Sequence, residues 1–191
     1  MRICVFCGSS DGRHARYREA GRVLGGMLAK AGIGVVYGGA RIGVMGAVAD
    51  GALAEGGEVI GVIPKAMMSV EVAHHQTDLR VVGTMHERKA LMAELSDAFV
   101  ALPGGIGTME EVFEVWTWAQ LGYHAKPVAL LEIDGYWKAL HRFIDNMVEE
   151  GFLRAQHREM LIIEDDATSL LKRIRQYRAP EVDKLLRSEE R

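Results

Sequence analysis

A length of 191 residues and a net charge of −3 predict one globular domain over residues 1–179, followed by a charged tail at 180–191. The slightly acidic balance argues against a surface that binds nucleic acid or anionic membranes. No apolar run approaches the roughly 18 residues that cross a bilayer, and the first residues read as a strand instead of a signal peptide. We therefore expect a cytoplasmic protein that contacts neither nucleic acid nor membranes.

Strand and helix patterns alternate along the whole chain. In order, they predict a strand at 3–7, a helix at 15–30, a strand at 34–37, a helix ending near 55, a strand at 58–63, a weaker strand at 79–82, a helix at 86–96, a strand at 98–102, a helix at 108–121, a strand at 127–132, a helix at 136–150, a strand at 161–163 and a helix after 167. Alternating units of this kind predict an α/β fold, a doubly wound parallel sheet with helices on both faces.

The two cysteines, Cys4 and Cys7, are spaced as C-x-x-C within the first strand pattern. Residues three apart on a strand point to opposite faces and lie roughly 10 Å apart, whereas a disulfide requires Cα atoms within about 7 Å. We therefore expect two buried, unpaired thiols. The seven histidines do not fall at metal-ligand spacing, so the sequence predicts no metal site.

Three glycine-rich turns follow strands at the sheet edge where ligands of such folds bind. They are Cys7–Ser10, Gly38–Gly46 and Pro103–Thr108. Bare backbone N–H groups in turns of this kind bind phosphate. None of the three has the spacing of the dinucleotide fingerprint or the P-loop, which disfavours a dehydrogenase and an NTPase. Together the turns predict a nucleotide-sized ligand.

The third turn leads into a helix pattern with Thr108, Glu110 and Glu111 near its start. One interpretation is a capping box, in which Thr108 and Glu111 satisfy backbone donors of the first turn. The other is a phosphate site formed by the N–H groups of residues 105–108 and the Thr108 hydroxyl, with a charged Glu111 favoured by the helix dipole. Because Glu110 and Glu111 differ by about 100° around a helix, only one of them faces the site.

Arg88 shares an apolar helical stripe with Leu91, Met92 and Leu95. Its guanidinium either reaches water beyond the stripe, as snorkelling arginines do, or points into the ligand crevice. Lys89, its neighbour, is either a surface residue or a phosphate partner.

Considered together, these segments carry a family resemblance. Pro103–Glu111 matches P-G-G-x-G-T-x-x-E, and Met85–Lys89 matches M-x-x-R-K. Gly38–Gly46 is similar to G-G-G-x-x-G-L-M-G, from which Ala40 and Val44 depart. Further matches are Trp118–Gly122, His124, Lys126 and Pro127. The chain thus resembles the LOG (Lonely Guy) family of cytokinin riboside 5′-monophosphate phosphoribohydrolases, formerly labelled lysine decarboxylases, over residues 3–163.

The resemblance implies a Rossmann-like homodimer without metal or redox cofactor. It implies hydrolysis of the N-glycosidic bond of an adenosine-type 5′-monophosphate, N6-substituted or plain, to free base and ribose 5-phosphate. Arg88 and Glu111 would be the catalytic pair. The substrate-binding residues would be Glu71, Lys89, Gly104, Gly105, Ile106, Gly107, Thr108, Met109, Glu110 and Thr117, together with Gly8, Ser9, Gly39, Gly43 and Met45.

Two other functions would use a similar chain. A non-catalytic carrier of a nucleotide or pterin-nucleotide cofactor would share the glycine turns, but it would not need Arg88 together with Glu111. A decarboxylase would need a Schiff-base lysine, and no lysine stands out.

The helix at 108–121 carries apolar residues on more than one face, which favours a homodimer. They are Val112, Phe113, Val115, Trp116 and Trp118.

Overall fold

The computed structural model describes residues 1–68 and 73–180. In these residues the strands are β1 (Arg2–Phe6), β2 (Gly34–Tyr37), β3 (Val59–Pro64), β4 (Asp78–Val82), β5 (Ala98–Ala101), β6 (Val128–Leu131) and β7 (Leu161–Glu164). The helices are α1 (Ala15–Lys30), α2 (Gly43–Ala54), α3 (Met85–Glu94), α4 (Ile106–Gln120), α5 (Lys138–Glu149), α6 (Ala155–Glu159) and α7 (Ala167–Gln176).

The strands form one sheet in the order β4-β3-β2-β1-β5-β6-β7, and each neighbouring pair is parallel. The chain builds outward from β1 to β4 and then returns to place β5 on the other side of β1. The loops that follow β1 and β5 therefore lie side by side at the carboxyl edge, where ligands of doubly wound sheets bind. The predicted α/β fold with a parallel sheet is confirmed.

Helices cover both faces of the sheet, so the strands are buried on both sides. One apolar layer packs α1, α2 and α7 on the sheet, and the other packs α3, α4 and α5. Cys4 belongs to the second layer and Cys7 to the first, and both thiols are buried and unpaired, as predicted. None of the described helices is both long and apolar enough to cross a membrane.

Two features of the chain after β6 differ from the predicted elements. The five-residue helix α6 was not predicted, because a segment this short shows no clear period. Helix α5 begins at Lys138 instead of residue 136. Asp134 and Gly135 adopt left-handed φ values of 54° and 82°, so the chain turns sharply before the helix.

Helices α1 and α2 touch backbone to backbone. A Cβ on Gly25 would lie 2.1 Å from the carbonyl oxygen of Val48, and one on Gly51 would lie 2.1 Å from the carbonyl oxygen of Arg22. Glycine inside a helix costs up to about 1 kcal/mol relative to alanine. The close approach of the two helices explains why glycine occupies these positions.

We expect Gly25→Ala to destabilise the protein by about 2 kcal/mol or more, because neither backbone can yield to the added methyl group. Gly26→Ala is the matched control, since its Cβ would meet its nearest neighbour, the Gly51 carbonyl oxygen, at an ordinary 3.5 Å. That variant should be neutral or more stable by up to about 1 kcal/mol. Urea unfolding measures both, and equal stabilities would contradict the helix contact.

Candidate active site

The three glycine turns meet at the carboxyl edge of the sheet through backbone hydrogen bonds. The Gly8 N–H donates to the Pro103 carbonyl at 3.2 Å, and the Met45 N–H donates to the Gly8 carbonyl at 3.2 Å. The Val44 N–H reaches the Ser10 carbonyl at 3.4 Å. The turn after β1 is thus held between the turns that follow β2 and β5.

Close contacts explain the glycines where these turns touch. A Cβ on Gly104 would lie 2.1 Å from Thr108 Oγ1 and 2.8 Å from the Gly8 nitrogen. Gly43 has a φ of +66°, and its Cβ would lie 2.3 Å from the Ser9 carbonyl carbon. These glycines allow backbones to approach each other.

The outer side of the third turn is open. Apart from adjacent residues and backbone of the same helix, no atom of the described residues would lie within 4 Å of a Cβ on Gly105 or Gly107. Ile106 between them is 91% exposed. Backbone at residues 105–107, where α4 begins, is therefore accessible to a ligand.

The second turn, by contrast, packs against protein. A Cβ on Gly38 would lie 2.2 Å from Arg88 Nη2, and one on Gly39, whose φ is +80°, would lie 3.1 Å from the Ile63 Cβ. Ala40 is fully buried and pairs with Ala73 through a backbone bridge. The methyl group of Ala40 therefore fills protein interior, and a contact of Gly39 with substrate stays a prediction.

The capping-box interpretation of Thr108 and Glu111 is wrong. Helix α4 begins at Ile106 with Gly105 as its N-cap, and no side chain caps it. Glu111 lies in the second turn of the helix, so the helix dipole acts on it less than expected. A side-chain cap occurs on α3 instead, where the Glu87 N–H donates to Thr84 Oγ1 at 3.1 Å.

Arg88 points into the protein, so the snorkelling interpretation is also wrong. The residue is 2% exposed. Its Nη2 donates to the Gly38 carbonyl at 2.8 Å, and its Nε donates to the Val62 carbonyl at 3.1 Å. The Gly38 carbonyl directly follows β2, and the Val62 carbonyl belongs to the neighbouring strand β3, two residues before its end. The guanidinium is therefore fixed at the edge of the sheet that carries the glycine turns.

The Glu111 carboxylate lies near the same place. Glu111 is 7% exposed, and Thr108, three residues earlier on the same helix side, is also buried. Burial raises the pKa of the Cys4 thiol, the Glu111 charge raises it further, and the Arg88 charge lowers it. Burial and the Glu111 charge likewise raise the pKa of Cys7. Both charges therefore lie close enough to the Cys4 thiol of β1 to act on it.

Lys89 and Glu110 contact each other. The Lys89 ammonium, 8% exposed, pairs with the Glu110 carboxylate and lies 3.0 Å from that of Glu114. Burial lowers the pKa of Lys89, but the hydrogen bonds to the two carboxylates outweigh this effect and raise it. Glu110 thus faces Lys89, while Glu111 is directed elsewhere, as the helical geometry predicted.

The remaining predicted site residues are dispersed. Glu71 lies outside the described residues. Ser9 is exposed and its backbone lies against Gly43 of the second turn, and Met109 is partly buried. Thr117 is exposed nine residues after Thr108, which is about 13 Å along the helix axis and half a turn around it. Within one chain, α4 therefore does not bring Thr117 to the glycine turns.

A cleft of about 410 Å³ opens beside the third turn and includes residues that the sequence analysis missed. Tyr17 and Tyr136 form one wall, with ring centroids 5.7 Å apart, and Gly8, Gly104 and Gly105 contribute backbone. Arg88 and Glu111 do not line it. The Asp-Gly turn signal before Tyr136 was the available hint. Among residues 1–68 and 73–180, no three His, Cys, Asp or Glu side chains could hold a metal ion.

This chain is similar to known proteins over most of its length. Residues 45–174 match a family model described as "Possible lysine decarboxylase". Cytokinin riboside 5′-monophosphate phosphoribohydrolase LOG3 of Arabidopsis thaliana is 50% identical over 92% of this chain and 82% of its own length. LOG7 of the same plant, which bears the same enzyme name, is 46% identical over 96% of this chain and 85% of its own length.

Solved structures with low identity share the fold. The molybdenum cofactor binding protein of Rippkaea orientalis superposes with a TM-score of 0.70 at 22% identity, covering 92% of this chain and 95% of that protein. The DNA processing protein A of Helicobacter pylori gives 0.57 at 15% identity, covering 92% and 80%. These two likenesses show the Rossmann-like fold alone. Identity near one half over almost the whole chain shows more: the chain belongs to the LOG family of cytokinin riboside 5′-monophosphate phosphoribohydrolases.

Proposed function

We propose that this chain hydrolyses the N-glycosidic bond of adenosine 5′-monophosphates, plain or N6-substituted as in cytokinin ribotides. The products are the free base and ribose 5-phosphate. The observation that carries the proposal is the burial of a guanidinium, Arg88, and a carboxylate, Glu111, in the part of the fold that holds the glycine turns, with Arg88 bound to the Gly38 carbonyl. The enzyme names of relatives about half identical to this chain support the same activity.

The substrate phosphate binds at the start of α4 in this proposal. Backbone at residues 105–107 is exposed, and the first N–H groups of a helix lack intrahelical partners. The helix dipole adds about 0.3–1 kcal/mol for an anion at this end. A phosphate here places the ribose within reach of the second helical turn, where Glu111 lies.

Cleavage proceeds by attack of water on the ribose C1′ and loss of the base. The C1′–N bond breaks, its electron pair leaves with the base, the base gains a proton, and the attacking water loses one. Positive charge develops on the ribose in the transition state, as in other glycoside hydrolyses. The Glu111 carboxylate stabilises this charge and orients the water. Arg88, fixed by two carbonyls, supplies a positive charge to the same region of the fold.

We also propose that the enzyme is a cytoplasmic homodimer. Phe113 and Trp118 on α4 are only partly buried, which leaves apolar surface for a second copy. Thr117 is exposed on the side of α4 opposite to Thr108. A substrate contact by Thr117 would therefore be made from the partner subunit.

The purified protein should release adenine from AMP, or the free base from an N6-substituted AMP. Chromatography of reactions with a panel of nucleoside monophosphates measures this directly. Tight ligand binding without base release from any of them would instead indicate a non-catalytic carrier and would refute the proposed activity.

Glu111→Gln should reduce kcat by at least about 100-fold while the protein stays folded, because the amide cannot stabilise positive charge on the ribose. Glu149→Gln, the same change at an exposed position on α5, is the matched control and should retain activity. Thermal unfolding shows whether both variants are folded. Turnover within a few-fold of wild type in Glu111→Gln would remove this carboxylate from the mechanism.

Light scattering at micromolar concentration should give twice the chain mass of 21.0 kDa. Trp118→Arg should shift the protein towards the monomer, since it places a charge on the apolar surface of α4. Phe143→Arg on α5, where the phenylalanine is already 56% exposed, should leave the mass unchanged. A monomeric wild type would refute the dimer.

A further inference from the structure

We propose that the Tyr136 hydroxyl sets the orientation of the phosphate-binding turn, which makes Tyr136 a positioning residue for the reaction. This inference rests on the proposed function. Tyr136 lies 32 residues after Gly104 in the sequence, yet its hydroxyl donates a hydrogen bond to the Gly104 carbonyl oxygen at 2.5 Å. This hydrogen bond between uncharged groups thus links the loop after β6 to the turn that follows β5.

The geometry of one peptide links this contact to the ligand. The peptide between Gly104 and Gly105 is planar and trans. Its carbonyl oxygen and its N–H therefore point in opposite directions. Because Tyr136 holds the carbonyl, it also fixes the direction of the Gly105 N–H, away from the tyrosine. That N–H belongs to the N-cap of α4, among the backbone donors that bind an anion.

The turn itself does little to fix this peptide. Both flanking residues are glycines, which permit many backbone conformations. Thr108 crowds one side of Gly104, where a Cβ would lie 2.1 Å from its hydroxyl oxygen, but this contact does not constrain the next peptide plane. A Cβ on Gly105 would meet no described atom within 4 Å, apart from adjacent residues of the chain. The hydrogen bond from Tyr136 holds the Gly104 carbonyl, and with it this peptide, in one orientation.

Tyr136 is held firmly enough to do this. Just before it, Asp134 forms an ion pair with Arg16 of α1. Just after it, Trp137 is buried and donates its indole N–H to the Leu131 carbonyl at 3.0 Å. The tyrosine is thus anchored on both sides to regular elements of the fold.

A purely structural role is the alternative, because the Tyr136 ring also packs edge-on against Tyr17 and Trp137. The two roles separate in Tyr136→Phe, which keeps the ring and removes only the hydroxyl. Tyr123→Phe is the matched control, since Tyr123 is exposed beyond the opposite end of α4. Thermal unfolding is measured for both variants.

The experiment combines steady-state kinetics on AMP with calorimetric binding of ribose 5-phosphate and of adenosine, which lacks the phosphate. In Tyr136→Phe we expect the KM for AMP and the Kd for ribose 5-phosphate to rise about 3- to 10-fold. The kcat should stay within about twofold, and the Kd for adenosine should not change. A general packing defect would raise the Kd for both ligands to a similar extent. Tyr123→Phe should match the wild type.

The outcomes separate this inference from the proposed function. If the wild type releases adenine but Tyr136→Phe binds ribose 5-phosphate as tightly as the wild type, the positioning role is refuted and the activity stands. If the wild type releases no base, the activity is refuted and the ribose 5-phosphate titration alone decides the role of Tyr136. Equal loss of affinity for adenosine and ribose 5-phosphate also refutes it.

Discussion

The site depends on one buried cation. Moving a charged group out of water costs several kcal/mol unless polar partners surround it. Arg88 meets this requirement with the carbonyls of Gly38, just after β2, and Val62, within β3. The arrangement leaves no room for a side chain at residue 38, where a Cβ would lie 2.2 Å from the guanidinium. It also fixes α3, whose first turn carries Arg88 and is capped by Thr84.

The parallel sheet brings turns from distant segments of the chain together near Arg88. The return of the chain from β4 to β5 places the turns after β1 and β5 next to each other, with Gly8 hydrogen-bonded to Pro103. Open backbone at the start of α4 and the buried carboxylate one turn further along then occur on one helix. A bound phosphate and a carboxylate would repel each other if they lay side by side. Separated along α4, they can act on the two ends of a ribose 5-phosphate.

The sequence predicted the sheet and the meeting of the glycine turns because both follow from local periodicity and a general rule of fold topology. It did not predict the start of α4, because the extended N-cap Gly105 leaves no capping signal in the sequence. Lys89 on α3 pairs with Glu110 and Glu114 on α4, which are 21 and 25 residues away in the sequence. No local sequence pattern encodes ion pairs over such separations. The hydrogen bond from Tyr136 was missed for the same reason.

The most direct test of the account is a crystal structure of Glu111→Gln with AMP bound, in which the substrate is not consumed. The structure predicts the phosphate on the backbone N–H groups of residues 105–108. It predicts the ribose C1′ facing the side chain of residue 111, with space for a water about 3–3.5 Å from C1′. A phosphate bound elsewhere, or a ribose turned away from residue 111, would contradict the proposed site and its mechanism.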